Sequence, residues 1–380
     1  MNLLRLCWAL VLALGASAGE RIDLIEFFGY QGLEVDAVRK ALPLHEGGNY
    51  HNKMKAAIRE AVKRVTGKDA TDVAGVCCNE QHHAMLYIGL SGESTRPFQL
   101  NAKPGGAVRL SQKLQELFAK IEKAEYAAIK KGGDASQEDD SNGFALFHDP
   151  ATRKLQFELR DYVRAHEAAI YDVVENCSDS EQRARAAAAI GFAERYPRQI
   201  AALLRASRDP DADVRDESTR ALGVLVQSGL PLASPIPAAD FIEMCASGNW
   251  MDRNKASMVL FPLTQSRDPQ LLAQVEKGAW EPLMEMARWR ATGHAFAPRI
   301  ILCRIRAFQT IAYCHWPADR RKRFWKRSPS SNNCGTAQYR QLFVSAPGGA
   351  VFSMCSIITG IIRCCNVPFA IWAGRKISPV

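Results

Sequence analysis

One short pattern is written twice between Asp179 and Val226, and it constrains the fold more than any other feature of the chain. The first copy reads Asp179-Ser180-Glu181-Gln182-Arg183, then Ala186, Ala189, Ile190 and Gly191. The second reads Asp211-Ala212-Asp213-Val214-Arg215, then Ser218, Ala221, Leu222 and Gly223, each position 32 residues after its counterpart. Internal periods of about 20–50 residues mark architectures built by stacking one supersecondary unit. In each copy an acidic residue opens a helix, where its carboxylate can accept free amide N–H groups and meet the positive end of the dipole. Small apolar residues three and four apart then leave a narrow stripe against which another helix can lie closely. A partner helix is expected over Pro197–Ala206, with Pro197 in its first turn and Ile200, Ala201, Leu203 and Leu204 inward. Such a pair cannot bury its face alone, so neighbouring pairs must complete the core.

The run Asp209-Pro210-Asp211-Ala212-Asp213-Val214-Arg215 through Ala221-Leu222-Gly223 resembles the HEAT repeat family, particularly the short HEAT-like repeats of phycobilin lyase-type proteins. A third, degraded copy follows Asp252-Arg253 with Ala256, Val259 and Leu260, and Arg253 lies 38 residues beyond Arg215. A fourth falls over Ala295–Leu302, without the arginine and with Pro298 inserted. The resemblance implies a mainly α protein, a short α-solenoid of helix pairs over 154–302 whose concave side binds other proteins. It implies no reaction.

Residues 20–92 read as a small α+β domain in the order strand, helix, helix, strand, strand. Ile22–Phe28 suggests the first strand, Val35, Val38 and Leu42 a helix, and Asn52 a cap for a second helix ended by Gly67. Strands are expected over Asp72–Cys78 and Ala84–Leu90. With Phe28-Gly29 early and Gly47-Gly48 before the second helix, this order is similar to a POTRA-type domain of exported envelope proteins. That similarity implies envelope association and binding of a peptide or neighbouring domain by strand addition at a sheet edge. An amphipathic helix is expected over 110–129, a flexible acidic linker over 130–142, and an atypical, disordered basic tail over 303–380.

Residues 1–18 carry Arg5, an apolar run from Leu6 to Leu14 and an Ala-x-Ala end, the pattern of a secretory signal peptide. Export to a bacterial periplasm or beyond is therefore expected. The net charge of +9 is local: from Arg304 onward there are 12 Lys or Arg against Asp319 alone, leaving the body near neutral. No specific nucleic-acid partner is expected from a basic patch confined to such a tail. Six of the 11 cysteines lie between Cys303 and Cys365, so the chain is not a disulfide scaffold.

No nucleophile elbow, phosphate loop or dinucleotide fingerprint is present. Cys77-Cys78-x3-His82-His83 offers zinc-type ligands, but neighbours on a strand face opposite sides. His45-Glu46 and His166-Glu167 resemble the pairs of deoxyhypusine hydroxylase, a di-iron HEAT-repeat enzyme. Neither pair lies inside a repeat, and neither a metal nor another cofactor is expected. Arg183, Arg215 and Arg253 share one repeat position and should form a ladder: an anion-binding strip in the functional reading, packing against caps such as Asp179 and Asp211 in the structural one. Asp179, Arg183, Asp211, Arg215 and Arg253 are thus the candidate groove residues. The expected function is a non-catalytic scaffold for an unidentified protein partner, the alternative a HEAT-like lyase or metal-dependent enzyme acting on a bound chromophore or modified residue.

Overall fold

The apolar strands and amphipathic helices fall close to where their periods place them. The computed structural model describes residues 20–76, 83–131 and 138–314, with side chains as far as residue 307. The chain is mainly helical, with a small sheet at its start. Strand β1 (Glu20–Phe28) leads to helix α1 (Val35–Ala41), the short strand β2 (Asn49–Tyr50) and α2 (Lys55–Thr66), then β3 (Asp72–Val76) and β4 (Ala84–Gly89). The sheet runs β2-β1-β4-β3, with β1 and β4 parallel and the other neighbours antiparallel. One core gathers Ile22, Ile25 and Phe27 of β1, Leu86 and Ile88 of β4, Val38 of α1 and Ile58 and Val62 of α2. Strand β4 is buried along nearly all its length and β1 from Ile25 to Phe28, which is why these stretches read as apolar runs.

The expected order is present, with β2 added. Asn52 does not cap α2: a single 3-10 turn leads into that helix, and the Asn52 side chain accepts from the Tyr50 hydroxyl. Gly67 ends α2 in the left-handed conformation (φ 72°) that glycine adopts without strain.

Helix α3 (Gln112–Lys130) is capped by Ser111 and buries Leu114, Leu117, Phe118 and Ile121, the face its spacing predicts. The linker expectation for 130–142 fails over its described acidic part. Glu138–Asp139 forms strand β5 and pairs with β6 (Leu146–Phe147), while Arg220 holds Glu138 and Arg153 holds Asp139. Those carboxylates serve as local partners rather than as a solvated run. Helix α4 (Pro150–Asn176) follows, bent at His166, whose φ of −133° leaves the helical range.

The repeats occupy α5 (Ser180–Ile190), α6 (Pro197–Ala206), α7 (Ala212–Gln227), α8 (Ala238–Met244), α9 (Trp250–Leu263) and α10 (Pro269–Ala287). Helices α5, α7 and α9 carry the three copies, and α7 lies between the other two. The small stripe is what permits this: Ala186, Ala189, Ser218 and Ala256 are all buried, and a Cβ on Gly191 would stand 3.3 Å from that of Ala221. The fourth copy is the start of α11 (Thr292–Cys314), which accommodates Pro298 internally.

Residues 20–302 belong to one compact unit and Cys303–Phe369 to a second, of which only the end of α11 is described. Residues 303–314 are thus helical rather than tail-like, since no glycine or proline interrupts them. The signal-type segment and the chain beyond 314 lie outside the described residues. No described helix is long and apolar enough to cross a membrane.

Candidate functional site

Each repeated arginine leaves the first turn of its helix and points into the interior, where it meets an acid from further along the chain. Arg183 forms a bidentate pair with Asp209, Nε and Nη2 each at 2.8 Å. Arg215 does the same with Asp252, at 2.7 and 3.0 Å. Arg253 reaches Glu285 of α10 at 3.0 Å. Each arginine also donates to the carbonyl six residues earlier, at Cys177, Asp209 and Ser247 respectively. The three side chains are 1%, 5% and 0% exposed, so the ladder is interior rather than an open strip. Desolvation of this kind is tolerable only with full pairing, and every guanidinium here has it. Hydrogen bonding to Asp209 holds the Arg183 pKa above its ordinary value, whereas burial pulls that of Arg253 down despite Glu285.

The caps stand apart from this ladder. Asp179 and Asp211 each accept from the second and third amides of their helices, at 3.0 and 3.4 Å in both copies. Asn249 takes the same place on α9. The expected pairing of arginines with caps is therefore corrected: the acids are Asp209, Asp252 and Glu285, and the cap oxygens face backbone amides. The lone acid in Leu283-Met284-Glu285-Met286-Ala287 was the sequence signal for the last of them.

Glu285 joins the helices to the sheet. Its carboxylate accepts the consecutive amides of Gly29, Tyr30 and Gln31 at 2.7, 2.9 and 3.0 Å, and the Ser94 hydroxyl at 2.6 Å. Gly29 is required here, since its φ is +70° and a Cβ would stand 2.3 Å from the Leu90 carbonyl oxygen. Around this junction Trp289 donates from Nε1 to the Phe27 carbonyl, and Arg290 pairs with Glu26 and Glu46. The outer edge of β1 is closed by side chains: the Ile25 amide donates to Glu46, and its carbonyl accepts from Arg39 and Arg290.

Beside the junction Tyr87 packs on Trp250, Trp289 and His294, with its hydroxyl 2.5 Å from His294 Nδ1. Burial lowers the His294 pKa to about 4 and raises that of Tyr87 well above its ordinary value, so both are neutral near pH 7. Lys255 and Asp216 form a buried pair at 3.4 Å, and burial raises the Asp216 carboxyl against the pull of Lys255. An open cavity of about 490 Å³ lies nearby, lined in part by Arg96, Phe98, Leu100, Arg215, Asn249 and Asp252.

The other candidates are not brought together. His45 bonds the Glu46 carbonyl and Glu46 is engaged by Arg290, while His166 stacks on Tyr162 and Glu167 accepts from the Glu194 amide. Cys77, Cys78 and His82 lie outside the described residues. Among the described residues no group of three or more His, Cys, Asp or Glu could hold a metal ion. No protein-family model, no curated protein and no solved structure matches this chain.

Proposed function

We propose that this chain is an exported, non-catalytic scaffold whose HEAT-like helix pairs stack as a short α-solenoid and bind a protein partner in the periplasm or cell envelope. The ladder carries this reading. The ionisable groups that recur along the helices are engaged with one another in the interior, at 1%, 5% and 0% exposure for the three arginines. The repeats therefore offer shape and main-chain groups outward, not a repeated set of reactive side chains. Repeat stacks of this kind provide extended binding surfaces. On the β2 side of β1, the Ile25 amide and carbonyl are already taken by Glu46 and Arg39, which supports a partner surface on the repeats rather than strand addition at that place.

The test is cross-linking of the full chain in an envelope extract, followed by identification of the linked peptides. The expected result is a reproducible protein partner linked to residues of α5–α9. A purified chain carrying stoichiometric metal or a visible chromophore, with no linked protein, would overturn the scaffold and favour a lyase or metal-dependent enzyme.

A further inference from the structure

The segment from Arg96 to Gly106 makes a contact that recurs with the repeats. Its backbone amides at Arg96, Asn101 and Gly106, five residues apart, donate to the carbonyls of Ala246, Arg208 and Asn176 at 2.8, 2.7 and 2.7 Å. Each of these carbonyls lies seven residues before a ladder arginine, Arg253, Arg215 and Arg183 in turn. The next carbonyl along, at Ser247, Asp209 or Cys177, is the one that the arginine itself takes. Every inter-repeat turn thus presents two successive carbonyls, one to the ladder inside and one to the strap outside. The strap's acceptors sit where α8, α6 and α4 end: Asn176 is the last residue of α4, and Ala246 and Arg208 each lie one residue past the cap of α8 or α6.

The strap suits this row chemically, and the Ser178 amide returns a bond to its Gly106 carbonyl at 2.8 Å. Residues 96–109 carry Arg96, Lys103 and Arg109 and no acid, matching the negative ends of the helices. Pro97 and Pro104 keep the segment out of regular pairing. Side chains add further contacts: Asn101 Nδ2 donates to the Arg205 carbonyl at 2.8 Å, Arg96 to the Gly278 carbonyl and Arg109 to Cys177 Sγ at 3.1 Å. The Gln99 amide donates to Glu243 at 3.5 Å, and Arg208 donates to the Gln99 carbonyl at 3.1 Å while lying over the Phe98 ring. Arg96, Gln99, Leu100, Asn101 and Lys103 are exposed. Recognition rests on main-chain geometry, so a different sequence of similar charge could use the same acceptors provided it has glycine at the third contact, where a Cβ on Gly106 would stand 2.5 Å from the Asn176 carbonyl oxygen.

We infer that the row of inter-repeat turns is a docking track for an extended, basic polypeptide segment, and that residues 96–106 are its resident intramolecular occupant. The inference deepens the scaffold reading and rests on it: the partner's segment takes the Ala246, Arg208 and Asn176 carbonyls when the strap leaves. A tethered strap competes at an effective concentration of roughly millimolar. The intact chain should therefore bind a free segment weakly.

The test uses a labelled peptide with the sequence of residues 96–109, titrated by fluorescence anisotropy against two full chains. One is wild type, and in the other, the replaced chain, Arg96→Pro, Asn101→Pro and Gly106→Pro together remove the three donating amides. The replaced chain should bind the peptide at least about tenfold more tightly than wild type, and a peptide with its three basic residues changed to Glu should bind neither. A replaced chain that melts cooperatively and ignores the peptide overturns the track. Hydrogen exchange of wild type decides the matter if the replaced chain does not fold. Amides of Arg96, Asn101 and Gly106 that exchange far faster than those of α7 and α9 support a releasable strap, and exchange at the core rate sinks it. An envelope partner that binds both chains equally overturns the track and leaves the scaffold standing; peptide binding without any envelope partner removes the scaffold and leaves the track.

Discussion

Arg183, Arg215 and Arg253 share a position but differ in what depends on them. Arg215 and Asp252 form a pair with both members buried, so truncating one leaves the other without its charge partner. We expect Arg215→Met to cost about 3–5 kcal/mol, and Arg215→Met combined with Asp252→Leu to recover part of that loss. Urea denaturation of the two variants checks it; recovery cannot be complete, because the Asp209 and Pro210 carbonyls lose a donor and Ser247 an acceptor. His294 gives a pH signature. Its folded pKa of about 4 lies below the usual 6.5, so the unfolded chain binds more protons between those values. Stability from this group is complete above pH 6.5 and is lost as pH falls towards 4, by about 3 kcal/mol at most. Asp216 has the opposite sign, since its raised pKa makes stability fall as pH rises through the acid range. Denaturation midpoints across pH 4–7 should therefore show a shallower acid loss in His294→Gln and a steeper one in Asp216→Asn. Parallel profiles for the two variants would remove both assignments.

At the scale of elements, the two caps offer a comparison made by the chain itself. Asp179 and Asp211 accept from equivalent amides at the same distances, so Asp179→Ala and Asp211→Ala should each cost about 1 kcal/mol and match one another. Thermal or urea midpoints of the single variants test that equality. These caps, and the helices they open, were legible because a cap and a small-residue stripe impose local residue choices at fixed spacing. The bounds of Pro197–Ala206 were legible from Pro197 and the apolar spacing, but its inward face was not fully so. Ile200 and Leu203 are buried as expected, whereas Ala201 is exposed and Leu204 half-buried, Ala202 and Ala206 taking the inward places. Of the ladder's acids only Glu285, a lone acid among apolar neighbours, leaves a sequence signal, and the set as a whole was not legible. Asp209 sits in a turn, Asp252 in α9 and Glu285 near the end of α10, so no single repeat position carries them. The kink at His166 and the pairing of β5 with β6 depend on tertiary partners, and neither leaves a sequence period. The strap escaped notice for another reason: it binds through main-chain amides, which every residue except proline possesses.

At the scale of the whole molecule, the compact unit over residues 20–302 is held together where the sheet meets the helices, and Glu285 is the centre of that junction. Its two oxygens collect Gly29, Tyr30 and Gln31 amides, the Ser94 hydroxyl and Arg253 Nη1. All five partners are donors, so only a group that accepts on both oxygens satisfies them. Glu285→Gln preserves volume but turns an amide NH₂ towards donors, and it removes the charge that Arg253 requires in a buried setting. Hydrogen bonds to charged groups contribute about 1.5–3 kcal/mol, and the loss should reach the upper part of that range. Its location should matter more than its size. Trp289 Nε1 to Phe27 and the packing of Tyr87 on Trp250 and Trp289 persist, yet they lie on one side of the junction, away from the Gly29–Gln31 turn. We therefore expect hydrogen exchange in Glu285→Gln to rise first in β1 and β4 while α5, α7 and α9 keep their protection, with unfolding split into two transitions. Exchange that rises uniformly, with a single transition lowered in temperature, would show that the sheet and the helices fold as one unit without needing this carboxylate as their tie.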